Sequence, residues 1–223
     1  MKIALLILLL LVVIVFFQYV PIDAIIQDYL YNFDSHEWML GKRTNPVLHF
    51  VLYTGMKKAL VAFGIGILIL LLFFRKNLIV QNYFDGLLIV FLSLAIATSI
   101  SSGLKSYTNM PCPSQTIKYG GELPEKKIWE KYQDKLARLH KLKCYPAGHA
   151  SGGFALMSLF FLFKKRSNKR KGFMVGFGLG WITGLYKMAI GDHFLQHTIV
   201  TMLLVWIIIL IIAKIVNCRG LRA

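Results

Sequence analysis

The sequence predicts an all-α, polytopic integral membrane protein with six transmembrane helices. Three observations carry this. The chain has 223 residues, 57% of them hydrophobic, and a mean hydropathy of +0.60, beyond the apolar share of an ordinary soluble domain. The apolar residues come in runs near the roughly 20 residues that cross a bilayer. Between the runs stand clusters of Lys and Arg, which collect at the cytoplasmic ends of spans.

The first run is 3–20, "IALLILLLLVVIVFFQYV". It is longer than the roughly 7–15 apolar residues of a signal peptide, and no small-x-small cleavage pattern follows, so it reads as a retained anchor. The second span is about 57–74, stopped by Arg75 and Lys76. The third is about 86–104. The fourth runs from about 147 to 163 and ends at "KKRSNKRK". The fifth, about 172–190, carries Gly176, Gly178, Gly180 and Gly184 in "GFGLGWITG". With no strand before it, that string reads as helix packing through small residues. The sixth is about 198–216. The chain reads as one domain over 1–223, with anchor spans and an outer loop in 1–85 and a core in 86–216.

Net charge is +16, from 26 Lys+Arg against 10 Asp+Glu. The cluster at 164–171 lies in a short loop, which assigns it and both termini to the cytoplasm. Segments 21–56, 105–146 and 191–197 then fall outside. Loop 105–143 is itself basic, nine Lys/Arg against four acids, which suits an anionic partner such as a phospholipid or the membrane surface. Within it, 125–142 reads as an amphipathic helix able to lie on such a surface. Nucleic acid is excluded as a partner, because so few residues lie outside the apolar runs. Cys112, Cys144 and Cys218 form no C-x-x-C or zinc pattern, so neither a metal nor another cofactor is expected.

Three clusters stand at the outer ends of spans: "KSYTNMPCP" (105–113), "PAGHAS" (146–151) and "KMAIGDHFLQH" (187–197). Titratable residues near membrane depth mark candidate sites. His149 and His193 can act as nucleophile, acid or base near neutral pH. Lys105 and Lys187 bring positive charge. Gly148, Ala150 and Ser151 open a helix whose free N–H groups attract an anion. His193 and His197, four apart, share a helical face. Such a set suits a phosphate, whose transfer needs mostly positioning and charge stabilisation.

Taken together, these residues resemble the type 2 phosphatidic acid phosphatase superfamily, with its K-x6-R-P, PSGH and SR-x5-H-x3-D motifs. The second motif is matched by Pro146-Ala147-Gly148-His149. The first is matched in spacing by Lys105 and Cys112-Pro113, with Cys for Arg. The third is matched by Lys187, His193 and His197, with Lys for Arg and His for Asp. The resemblance covers roughly 86–216 and implies a helical core of the vanadium-haloperoxidase and acid-phosphatase type. It also implies roles: His193 as the nucleophile that forms a phosphohistidine, His149 as the general acid, and His197 as the orienter of His193. Lys105, Lys187, Gly148, Ala150 and Ser151 would bind phosphate. Asp192 is a substitute carboxylate poorly placed to bond the His193 ring. Lys118, Lys141 and Lys143 are the candidates to replace the missing arginine.

The resemblance implies a metal-independent phosphoric monoester hydrolase in a bacterial inner membrane, with its site facing the periplasm. The divergent motifs favour lipid A as substrate, ahead of undecaprenyl diphosphate and phosphatidylglycerol phosphate. The rivals are a non-catalytic lipid-binding protein and a lipid transporter. Cys112 and Cys144 both fall outside, one beside each of the first two motifs. In an oxidising periplasm they are a candidate disulfide, with two separate buried thiols as the alternative.

Overall fold

The computed structural model describes residues 2–41, 46–130 and 142–220. Helix α1 (Lys2–Tyr19) is followed after a 68° bend by the short α2 (Ile22–Leu30). A two-residue hairpin pairs β1 (Tyr31–Asn32) with β2 (Glu37–Trp38). Helix α3 (Pro46–Phe73) contains a π-helical turn at Phe50–Gly55. Helix α4 is Leu78–Thr108 and α5 is Gly148–Leu162, broken by a 3-10 turn at Leu156–Ser158. Helices α6 (Arg166–Ala189) and α7 (Leu195–Gly220) complete the fold.

Local sequence fixes several of these ends. Asn77 caps α4 by accepting a hydrogen bond from the Ile79 N–H at 2.8 Å. Asn109 ends it in a left-handed conformation, φ 46°, that Asn tolerates better than most residues. Pro46 stands at the first position of α3, where a missing N–H costs nothing.

Helix α5 is the centre of the bundle, packed among α4, α6 and α7. Phe154, Ala155 and Met157 are buried in a core shared with Ile89, Val90, Val205 and Ile209. The approach to α6 is close enough that a Cβ on Gly153 would stand 2.6 Å from the Gly180 nitrogen. Packing through small residues in "GFGLGWITG" is thus what α6, the fifth predicted span, does at Gly176, Gly180 and Gly184. Around this core, α1 and α3 turn leucines, valines and phenylalanines such as Leu8, Leu11, Val61 and Phe73 outward. Long helices with apolar outer faces make this a membrane-embedded protein.

The helices follow the predicted order, with three differences. Among the described residues, three helices qualify by length and composition to cross a membrane, or four if the bent α1–α2 pair counts as one. The first turns of α6 are loaded with Arg166, Lys169, Arg170 and Lys171, and α5 is short. The second apolar helix starts at Pro46 rather than near 57, so Lys57 lies within it. The amphipathic helix predicted over 125–142 is not formed at 125–130, where Ile128 and Trp129 make a turn; positions 131–141 lie outside the described residues.

Candidate active site

The three sequence clusters meet at one end of the bundle. The basic turns at 75–76 and 164–171 lie at the other, since each helix carries the chain from end to end. The C-terminal turn of α4 brings Lys105, the first turn of α5 brings His149, and the end of α6 brings Lys187. The α6–α7 turn brings Asp192 and His193, and α7 opens with His197.

Backbone links stitch the clusters together. Cys112 and Cys144 form a disulfide, and the Cys144 N–H donates to the Met110 carbonyl at 3.2 Å. The Thr108 hydroxyl donates to the Tyr145 carbonyl at 2.6 Å. The Ser114 N–H donates to the Gly191 carbonyl at 2.9 Å. The Ala147 N–H donates to Thr201 Oγ1 at 2.7 Å, one turn beyond His197. Position 112, where the resemblance expects an arginine, is therefore spent on a covalent tie.

His193 is 3% exposed and His197 1% exposed, and their Nδ1 atoms lie 3.4 Å apart. The Tyr145 ring meets His197 edge-on at 5.0 Å. Burial first, then His197 and the charges of Lys105 and Lys187, hold His193 well below the ordinary histidine range. It is neutral at pH 7. Lys187, 3% exposed, is ion-paired to Asp192 Oδ2 at 2.7 Å. Asp192 thus serves Lys187, and the neighbour of the His193 ring is His197.

Lys105 lies against the start of α5. A Cβ on Gly148 would stand 2.8 Å from Lys105 Cε and 3.0 Å from Nζ. Only glycine lets the ammonium and the free N–H groups of that first turn share one spot. Ala150 and Ser151 are fully buried, and the Ser151 hydroxyl donates to the Gly148 carbonyl at 2.7 Å. The Ser151 N–H is used on Ala147. Of the second cluster, Gly148 and His149 are the residues that face the cavity. Gly148→Ala will push the Lys105 head aside while leaving the fold intact. We expect at least a tenfold fall in turnover, a size that follows from ångström-scale misplacement, with the unfolding midpoint in detergent unchanged.

From this spot a cavity of about 520 Å³ opens between α3 and α4. Its polar end holds Lys105, His149, Tyr53 and Lys57, and its apolar end holds Leu60, Val61, Ile65, Phe91 and Leu94. Phe91 and Lys105 are fourteen residues apart on one helix, about 21 Å at about 1.5 Å per residue. This is a groove shaped for a polar head and an apolar tail.

Sequence reasoning missed Tyr53, Lys57 and His49. They sit in "LHFVLYTGMKK", where no motif or periodicity singles them out. Of the three lysines expected to replace the arginine, Lys118 is ion-paired to Asp28 at 2.7 Å and Lys143 is exposed. Lys141 lies outside the described residues.

Cys144 Sγ, one nitrogen of His193 and one of His197 lie within 4.8 Å of one another. The sulfur is bonded to Cys112, so this group offers no thiolate to a metal.

Comparison with known proteins adds one finding. A family model described as the PAP2 superfamily matches residues 86–220. No curated protein and no solved structure matches the chain significantly.

Proposed function

Since the chain belongs to the PAP2 superfamily, whose members are phosphatases acting on lipid-like substrates, we propose that it removes a phosphate from a lipid head group at the outer face of a bacterial inner membrane. The supporting observation is the placing of Lys105 and His149 at the polar end of an apolar groove, with Lys187 against the Tyr53 ring of its wall and the buried His193–His197 pair on the adjoining turn. In this reading α1 and α3 to α7 all cross the bilayer, and the head group enters sideways from lipid.

The chemistry proceeds in two steps. In the tautomer this role requires, His197 is the acceptor at Nδ1. His193 then donates from Nδ1 and keeps a lone pair on Nε2. That nitrogen attacks phosphorus, the P–O bond to the lipid breaks, and His149 gives the leaving oxygen a proton. Water, deprotonated by His149, then breaks the N–P bond and releases inorganic phosphate. Lys105, Lys187 and the N–H groups at Gly148 carry the developing charge. Lys57, on the cavity wall, supplies the cation that position 112 no longer does.

Lipid A, through its phosphate monoesters, is the first substrate to test. A second reading is undecaprenyl diphosphate, whose one chain would suit a groove of this kind. Purified protein in detergent with EDTA should release phosphate from one member of a panel of lipid A, undecaprenyl diphosphate, phosphatidic acid and phosphatidylglycerol phosphate. No release from any, with folded protein, would reject the enzyme in favour of a lipid-binding protein.

A further inference from the structure

Tyr53 sits on the π-helical turn of α3, outside the three sequence clusters and outside the residues that match the family. Such turns gather at functional sites. Its ring touches three groups. His49, one turn earlier, stacks on it with centroids 4.8 Å apart and planes 19° apart. His149 packs against it at 4.4 Å and 34°. The ammonium of Lys187 stands 3.8 Å from the ring centroid. His49 in turn shares a 2.9 Å hydrogen bond with the hydroxyl of Tyr186, the neighbour of Lys187. One aromatic ring from the N-terminal wall therefore meets both the proposed acid and a proposed phosphate-binding cation.

We propose that Tyr53 is a positioning residue for the reaction, holding His149 and Lys187 in working geometry through the face of its ring. The physical basis is in these contacts. The negative face of the ring attracts a cation, more strongly where water is excluded. Lys187 is drawn both by Asp192 and by the ring, and the two contacts together restrict its Nζ. His149, packed against a flat surface, loses freedom to rotate about χ2. An acid that must reach one leaving oxygen gains rate from that restriction. The proposal rests on reading the site as a lipid phosphatase.

Its test uses the full chain in detergent and the lipid that gives most phosphate. Tyr53→Leu should lower kcat by about 10- to 100-fold, in the range of ångström-scale misplacement, with KM moving less than about threefold. Tyr53→Phe, which keeps the ring face, should recover most of that loss. Pentafluorophenylalanine at 53 keeps the shape but reverses the charge of the face. It should lower kcat by at least about fivefold at an unchanged unfolding midpoint, as expected if the cation contact counts. Because this substitution preserves packing, it decides the matter even where Tyr53→Leu folds poorly. A kcat equal to wild type with the fluorinated ring overturns the proposal, as does a loss confined to KM. Wild-type release that disappears in His193→Ala secures the parent reading independently; wild type that releases nothing sinks both.

Discussion

Replacing His193 with alanine will abolish phosphate release while leaving the protein folded. The imidazole is buried, and a second imidazole holds it at 3.4 Å, and it stands at the position where the family resemblance places the nucleophile. Loss of a nucleophile from a site whose members act as a unit costs about 10⁴-fold or more. His197→Asp, which restores the carboxylate of the third motif, should retain turnover if residue 197 orients the ring. The same environment sets a pH dependence. Burial lowers the folded-state pKa of His193 below the unfolded value of about 6.5. Between these two values the unfolded chain binds more protons than the folded one. Stability is therefore full above about pH 6.5 and falls as pH drops below it, by up to about 1.4 kcal/mol per unit. Unfolding midpoints measured from pH 8 to pH 5 should slope downward on the acid side, and His193→Gln should flatten that slope. An unchanged slope in the variant would place the titrating group elsewhere.

The second large effect concerns the disulfide. It closes a segment with a sequence separation of 32, worth about 3–4 kcal/mol in the chain-entropy model. For a chain of this size that corresponds to roughly 10 °C in the unfolding midpoint. Cys112→Ser should show this drop, and reductant should lower the midpoint of wild type but not of the variant. Activity should fall as well, because Cys144 adjoins the carbonyl of Asp192 and the two imidazoles. Slack there separates the first two clusters from the third. Labelling of denatured, non-reduced protein should find one free thiol, Cys218. Three labelled cysteines would show that the bridge does not form.

The sequence made the helices and the meeting of the three clusters legible for physical reasons. Apolar runs of span length have few alternatives in lipid, and Lys105, His149 and His193 fall at the ends of such runs. Other features were illegible because they depend on partners far away in the chain. Tyr53 looks like one more aromatic in an apolar run until His149 and Lys187 are placed on its face. Ser151 looks like an anion ligand until its hydroxyl is seen donating to Gly148. Lys57 marked the start of a span in the hydropathy pattern, whereas Pro46 begins the helix and leaves the lysine on the cavity wall. Asp192 read as a poor substitute for the family's aspartate, and its 2.7 Å pair with Lys187 shows the different use it has.

The groove wall has a consequence for how such a chain can change. The reacting groups lie on α4 to α7, within the segment shared with the family, whereas Leu60, Val61, Gly64 and Ile65 on α3 line the tail end of the cavity. The stretch before residue 86 thus supplies much of the tail wall and, through Tyr53 and Lys57, reaches the polar end as well. Substitutions at positions 60–65 should retune which tail is accepted while Tyr53 and Lys57, one to two turns earlier on the same helix, stay constant. A chimera carrying another relative's residues at 60–65 should shift the tail preference and keep this protein's chemistry.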